Sequence, residues 1–179
     1  MRVGAKIAGT ALALIASGAL TLYSDDLNRM LSRWEGDGQN VVYPDKIARN
    51  LPTVCRGVTK YTSPEPVLLG DYWSPEKCAE VEKIVVSDGQ IELAKCIKVH
   101  INQPIFDAFS DFGHNVGNAN ACVSVAMGLL NAGRVAEACD AIAHKGASRQ
   151  PNWSYVDGVF VPGLYNRRLD ERKKCLSGL

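Results

Sequence analysis

No sign of charge dominates this chain, and that absence removes several functions at once. Its 179 residues carry twenty Lys and Arg against nineteen Asp and Glu, a formal net charge of +1. Acidic and basic residues are interspersed rather than grouped, the pattern of an ordinary solvated surface, so no field argues for a nucleic-acid partner. There is no internal repeat and no low-complexity linker. None of the six cysteines forms a Cys-x-x-Cys pair, and His100, His114 and His144 share no ligand spacing. Nothing therefore implies a metal or any other cofactor, and the histidines read as structural or surface residues. The length suits one well-buried domain.

A long apolar run is also missing. Arg2 and Lys6 precede IAGTALALIASGALTL, sixteen residues in which ten are Ala, Gly, Ser or Thr. As a helix this run reaches about 24 Å, short of a hydrocarbon core of about 30 Å. The segment fits a cleaved signal peptide, although Ala16 and Ala19 mark no clear cleavage site. It fits equally a marginal anchor able to leave the bilayer, and a buried core helix is the third reading. The first two send the domain out of the cytoplasm. Cys55, Cys78, Cys96, Cys122, Cys139 and Cys175 all follow this segment, an even set that reads as disulfides of an exported protein. Spacing does not dictate connectivity; the expectation is Cys55–Cys78, Cys122–Cys139 and Cys96–Cys175.

What is present begins at Ser24. Ser24 caps a helix, Asp25 and Asp26 suit its positive end, and Leu27, Met30, Leu31 and Trp34 form one apolar stripe. Gly36 stops it, which puts Glu35 in the last turn. The negative end of the helix dipole disfavours an ionised carboxylate there, and an apolar wall such as Trp34 would add desolvation. Both are what a general acid near neutral pH requires, although a surface Glu at a frayed helix end has the same local sequence. VVY, LPTVC and VTKY, punctuated by Pro44, Asp45, Asn50, Pro52 and Gly57, predict a small irregular antiparallel sheet. Ser74-Pro75-Glu76 starts a helix, interrupted near Gly89. Beyond Asn102 the pattern is helical: Ile105, Phe106, Phe109 and Phe112 in one helix, Cys122–Leu130 in a second, Val135–Ile142 in a third. A long loop over 146–162 carries Trp153 and Tyr155, and a last helix runs from about Gly163 to Leu176. The fold class is α+β.

Glycoside hydrolysis needs a protonated carboxyl for the leaving oxygen and a carboxylate that attacks or activates water. Glu35 and Asp45 flank the helix-to-sheet junction and suit those roles, with Asp37 an alternative on spacing alone. Trp153 and Tyr155 suit either sugar stacking or local anchoring, and Lys145 and Arg149 either an acidic polymer or plain solvent.

WEG…YPDK…PTVCRGVT resembles the Glu…Asp…Thr site of the phage lysozymes of glycoside hydrolase family 24, the T-even phage lysozyme type. FSDFGHNVG, SVAMGLLNAG with ACDAI, and GLYNRRLDERKKCL resemble later segments of that family in the same order, so the likeness spans Arg33 to Leu176. It implies a lysozyme-like α+β fold: a small antiparallel sheet near the N-terminus and a mainly helical body. It makes Glu35 the general acid, has Asp45 orient or activate the attacking water, and has Thr53 hold that water. Asn115 would line the cleft, and Arg167 or Arg168 would pair with Glu35, although Arg167 at i, i+4 from Glu171 equally fits a surface pair. Both intervals are longer than the family's, nine residues from Glu35 to Asp45 and seven from Asp45 to Thr53. Val58 stands where many members have His.

The implied function is an endolysin that hydrolyses the β-1,4 bond between N-acetylmuramic acid and N-acetylglucosamine in peptidoglycan glycan strands. It would act as a monomer, with inversion, which requires carboxyls about 6.5–9.5 Å apart. A subset of the family carries an uncleaved signal-anchor-release segment. By that resemblance residues 1–23 hold residues 24–179, the catalytic domain, on the periplasmic side of the host inner membrane before release to the periplasm. Residues 1–23 contain no Cys, which excludes control by a cysteine within the anchor. The competing functions are a lytic transglycosylase using Glu35 alone and a non-catalytic wall-binding domain.

Overall fold

A computed structural model describes residues 10–36, 38–46 and 49–179; Asp37 lies outside them. In chain order the elements begin with α1 (Ala11–Ala16), α2 (Asp25–Glu35), β1 (Gln39–Asp45), β2 (Leu51–Cys55) and β3 (Val58–Thr59). The helices α3 (Pro75–Ala94), α4 (Gln103–Val116), α5 (Asn118–Cys122), α6 (Val125–Asn131) and α7 (Val135–Ala143) follow. Two short ladders, β4 (His144–Lys145) with β5 (Gln150–Pro151) and β6 (Tyr155–Val156) with β7 (Val159–Phe160), precede α8 (Pro162–Leu176). The chain divides into two units, residues 28–88 and residues 1–27 with 89–179.

The smaller unit holds the antiparallel sheet β1-β2-β3. Val42, Val54, Val58, Val67, Trp73 and Val81 form its apolar cluster, with the Cys55–Cys78 disulfide joining β2 to the first turn of α3. β1 bulges: Gln39 faces Cys55 and Tyr43 faces Thr53, so Asn40, Val41 and Val42 oppose Val54 alone. A bulge leaves ladder groups unpaired, and here another segment takes them up. Val42 donates to Asp71 O at 2.9 Å and accepts from Gly70 N at 3.0 Å, while Asn40 O accepts from Trp73 N at 2.7 Å. Gly38 has φ +61°, and a Cβ there would lie 2.8 Å from the Cys55 carbonyl, so only glycine admits this approach.

The larger unit is helical around one core. Phe106, Phe109 and Phe112 of α4, Leu93 of α3, Met127 and Leu130 of α6, Ile142 of α7 and Cys175 of α8 are buried together. Ala11, Leu14 and Leu20 are buried in the same core, so the described part of the weakly apolar N-terminal run is integral to this unit. Polar contacts fix it. The Gln103 amide accepts from Thr21 N at 2.7 Å and donates to Thr21 O at 3.0 Å, Gln90 Oε1 accepts from Tyr23 N at 2.6 Å, and Asp26 pairs with Lys174. Among the described residues no helix is long and apolar enough to cross a membrane.

Several expectations change. The disulfides are Cys96–Cys122 and Cys139–Cys175, not Cys122–Cys139 and Cys96–Cys175, with Cα–Cα distances of 5.5 and 5.4 Å. α7 packs along α8, which brings Cys139 to Cys175, and α5 returns Cys122 to the chain just past α3. α3 is continuous through Gly89, whose carbonyl accepts from Asn118 Nδ2 at 2.8 Å. The expected helix Cys122–Leu130 is divided between α5 and α6, because Ser124 Oγ accepts from Met127 N at 3.1 Å and restarts the helix. The expected loop over 146–162 contains strands β5, β6 and β7.

Candidate active site

α2 forms as its sequence dictates. Ser24 Oγ accepts from Leu27 N at 3.1 Å, and Gly36 takes φ +70° just beyond Glu35. Glu35 is therefore the last residue of the helix, and it is exposed, while Trp34 is half-buried.

The ladder places Asp45 and Thr53. Tyr43 faces Thr53, Pro44 faces Pro52 and Asp45 faces Leu51. Side chains alternate across a strand, so Tyr43, Asp45, Leu51 and Thr53 share one face, with Asp45 and Thr53 diagonal neighbours about 7–8 Å apart at their Cα atoms. Between the strands, Asn50 N donates to Asp45 O at 2.7 Å. Arg49 and Asn50 turn the chain in the left-handed region, at φ 57° and 61°. Thr53 is 2% exposed, and its Oγ1 donates to Leu51 O at 3.0 Å. Its proton is committed, so the hydroxyl oxygen is left as an acceptor.

Arg56 was not singled out from the sequence. Its backbone N–H donates to Glu82 Oε1 at 2.9 Å and its Nε to Glu82 Oε2 at 2.7 Å. Nη2 donates to Asn28 Oδ1 at 3.3 Å and Nη1 to Ser32 Oγ. One guanidinium therefore joins the helix that ends in Glu35 to α3, next to the Cys55 disulfide. These groups line a cavity of about 290 Å³ that also touches Gly36 and Asn40 and includes none of Glu35, Asp45 and Thr53. No sequence spacing reveals this clamp, because its partners lie 24 to 28 residues away.

Asn115, Arg167 and Arg168 belong to the helical unit, where they form a network. Arg168 Nη2 donates to Asn115 Oδ1 at 2.9 Å and to Glu171 Oε1 at 2.6 Å, and Arg167 Nη2 to Asp111 Oδ1 at 2.8 Å. Arg167 and Glu171 do pair at i, i+4, but at 4% and 0% exposure the pair is buried rather than on the surface. Burial pushes the Glu171 carboxyl well above the usual range; Arg168 opposes this and the charge of Asp111 adds to it. Burial likewise lowers the Arg168 guanidinium, against the pull of Glu171. Asp107, fully buried in α4 and accepting from Gln103 Nε2 at 2.7 Å, is also raised by burial.

The weaker candidates resolve. His144 is buried between Asp140 at 3.1 Å and the Tyr165 hydroxyl at 3.2 Å, a structural role, and His100 and His114 are exposed. Trp153 packs edge-on to Phe112 at 5.6 Å as a local anchor, while Tyr155 stays exposed under Lys145. Arg149 lies 3.4 Å from Asp140. Among the described residues no group of His, Cys, Asp and Glu could hold a metal ion.

Known proteins resemble this chain. The profile of the family described as phage lysozyme matches residues 32–171. A SAR-endolysin of Escherichia phage 933W is 31% identical over 137 residues, 76% of this chain and 74% of that one. A SAR-endolysin of Bacteriophage PS119 is 28% identical and covers 99% of both chains. In fold, the chain matches the endolysin from Escherichia coli O157:H7 phage FAHEc1 with a TM-score of 0.72 at 24% identity, over 89% of this chain and 95% of that one.

Proposed function

This chain belongs to the phage lysozyme family, a muramidase-type hydrolase acting on peptidoglycan, and on that premise we propose that Glu35, Asp45 and Thr53 perform the hydrolysis. The bond is the β-1,4 link between N-acetylmuramic acid and N-acetylglucosamine. Glu35 gives its proton to the leaving glycosidic oxygen. A water donates one hydrogen to Asp45 and the other to Thr53 Oγ1, so its lone pair is presented to the anomeric carbon from the opposite face. The product is inverted, as expected where a water stands between the carboxyls and the sugar. Asn115 lines the cleft, Arg167 or Arg168 supports Glu35, and the enzyme works as a monomer on glycan strands without a cofactor.

One observation carries this reading: the β1–β2 register sets Asp45 and Thr53 on the same face, with the Thr53 proton already given to Leu51 O. A hydroxyl so committed can only accept from water, which is the polarity the mechanism needs. Glu35→Gln is expected to abolish lysis of peptidoglycan while the fold is retained by circular dichroism. Full activity in that variant ends the assignment. Mass spectrometry of the wild-type products separates hydrolysis from transglycosylation, since only the latter yields an anhydro sugar.

The relatives named SAR-endolysins support a second part of the proposal. Residues 1–23 hold the enzyme on the periplasmic side of the host inner membrane, and release brings it to the periplasm. In this reading, burial of Ala11, Leu14 and Leu20 in the helical core belongs to the released form.

A further inference from the structure

We propose that Arg56 is a positioning residue for the general acid, fixing where Glu35 stands relative to Thr53. The inference rests on the assignment of Glu35 and Thr53 above and extends it to a residue outside the reacting groups. Its basis is that the chain around Glu35 is attached to residues 55 and 56 on both sides. Ahead of Glu35, the Arg56 guanidinium donates through Nη1 to Ser32 Oγ and through Nη2 to Asn28 Oδ1 at 3.3 Å. Asn28, Ser32 and Glu35 fall at i, i+4 and i+7, so the guanidinium grips the face of α2 that carries the acid. Beyond Glu35, Gly38 lies against the Cys55 carbonyl, and Gln39 faces Cys55 in the ladder. Thr53 stands two residues before Cys55 on the same strand, β2. One short stretch of β2 and its exit therefore references the acid and the water-holding hydroxyl to each other.

The anchor is itself held firmly. Glu82 binds both the backbone and the side chain of Arg56, accepting from N at Oε1 and from Nε at Oε2. The two side chains are only 17% and 8% exposed, so solvent competes little for the pair. The Cys55–Cys78 disulfide ties the neighbouring residue to α3 one turn before Glu82. With Nε committed to Glu82, the planar fork reaches α2 through its two terminal nitrogens, which the single ammonium of a lysine could not imitate. What the grip opposes is rotation of α2 about its own axis. A group at the rim of a helix, about 5–6 Å from the axis, moves about 1 Å for each 10° of rotation. A misplacement of about 1 Å can cost about a hundredfold in rate. Two hydrogen bonds too weak to decide the fold can thus decide where the proton is delivered.

The test cuts the link from each end. Asn28→Ala combined with Ser32→Ala removes what the guanidinium holds on α2 and leaves its pairing with Glu82. These side chains line a polar cavity of about 290 Å³, room enough for water to serve the groups left behind, so Tm should hardly change. Arg56→Lys keeps a cation for Glu82 and loses the fork. Turnover of purified peptidoglycan is measured as kcat and KM, per folded protein by circular dichroism at the assay temperature. Each variant is expected to lose about tenfold in kcat with KM unchanged. The triple variant should be no worse than the poorer of the two, because both break one connection. Wild-type kcat in Asn28→Ala/Ser32→Ala would overturn the proposal. So would losses that multiply in the triple variant, since Arg56 would then act by holding the fold rather than α2. If Arg56→Lys does not fold, the variant on α2 decides alone. Glu35→Gln, measured in parallel, keeps the two claims apart. Full activity there defeats the assignment of Glu35, whereas a defective Glu35→Gln beside a normal Asn28→Ala/Ser32→Ala defeats only the role of Arg56.

Discussion

Thr53 shows how much one hydroxyl decides. Its oxygen gives its proton to a carbonyl two residues away and is then left with acceptor capacity alone, in surroundings closed to bulk solvent. Thr53→Val keeps the shape and the β-branch that a strand favours. It is expected to lower kcat about a hundredfold, the scale on which a misplaced reactant costs rate. Stability should fall by only about 1 kcal/mol, for the one donor lost to Leu51 O. Paired turnover and urea-denaturation measurements check both halves. A variant with normal kcat would remove Thr53 from the mechanism. The buried residues of α8 carry a different lesson. Arg167 and Glu171 stand at i, i+4, a spacing that reads identically on a wet surface and inside a core. Only the burial of α8 against α4 separates the two, and then the same pair becomes part of a network with Asp111, Arg168 and Asn115.

Among the elements, α2 was legible to the residue: its serine cap, apolar stripe and glycine stop all act where the sequence puts them. The sheet was legible in kind but not in register, because the bulge depends on Gly70–Trp73 arriving to satisfy Asn40 and Val42. No local pattern encodes that arrival. Disulfide connectivity divides along the same line. Cys55–Cys78 closes a short excursion within one unit, whereas the other two bridges depend on which helices lie side by side. Of the proposed site, the candidates Glu35, Asp45 and Thr53 come from resemblance; Arg56 could not be found that way, since its partners are distant in sequence. The bridge at Cys55 has a further consequence. It closes a 23-residue separation, for which the loop-entropy model gives about 3 kcal/mol. Replacing both Cys55 and Cys78 by Ser is expected to lower stability by about that amount. Hydrogen exchange should show β1–β3 opening before α4 and α8, whose own bridge to α7 is intact. Uniform loosening of both units would contradict this.

At the scale of the whole molecule, the helical unit is assembled from stretches far apart in the chain, residues 10–27 and 89–179. Removing the first from that core would unpack Ala11, Leu14 and Leu20. It would also strip Gln90 and Gln103 of their backbone partners. Each intramolecular hydrogen bond exchanged for water costs about 0.5–1.5 kcal/mol, and the apolar contacts are lost as well, so the tethered form should be the less stable and the less active. Activity is to be compared between full-length protein held in inner-membrane vesicles and the same protein after release, on equally accessible cell wall. Equal rates in the two states would rule out control by tethering.

The manner in which Gln90 and Gln103 grip that segment bears on what its sequence is free to be. Gln103 offers its carbonyl to one backbone N–H and its amine to the carbonyl of the same residue, imitating a peptide group in a neighbouring strand, and Gln90 does half as much for Tyr23. Both glutamines touch main chain and leave side-chain identity at 21 and 23 unread. The core takes small or aliphatic groups at 11, 14 and 20, with Ile15 and Leu22 packed against it. A stretch recognised chiefly through its peptide groups keeps its remaining positions for another solvent, and Ala, Gly, Ser and Thr are residues that water and lipid alike accept.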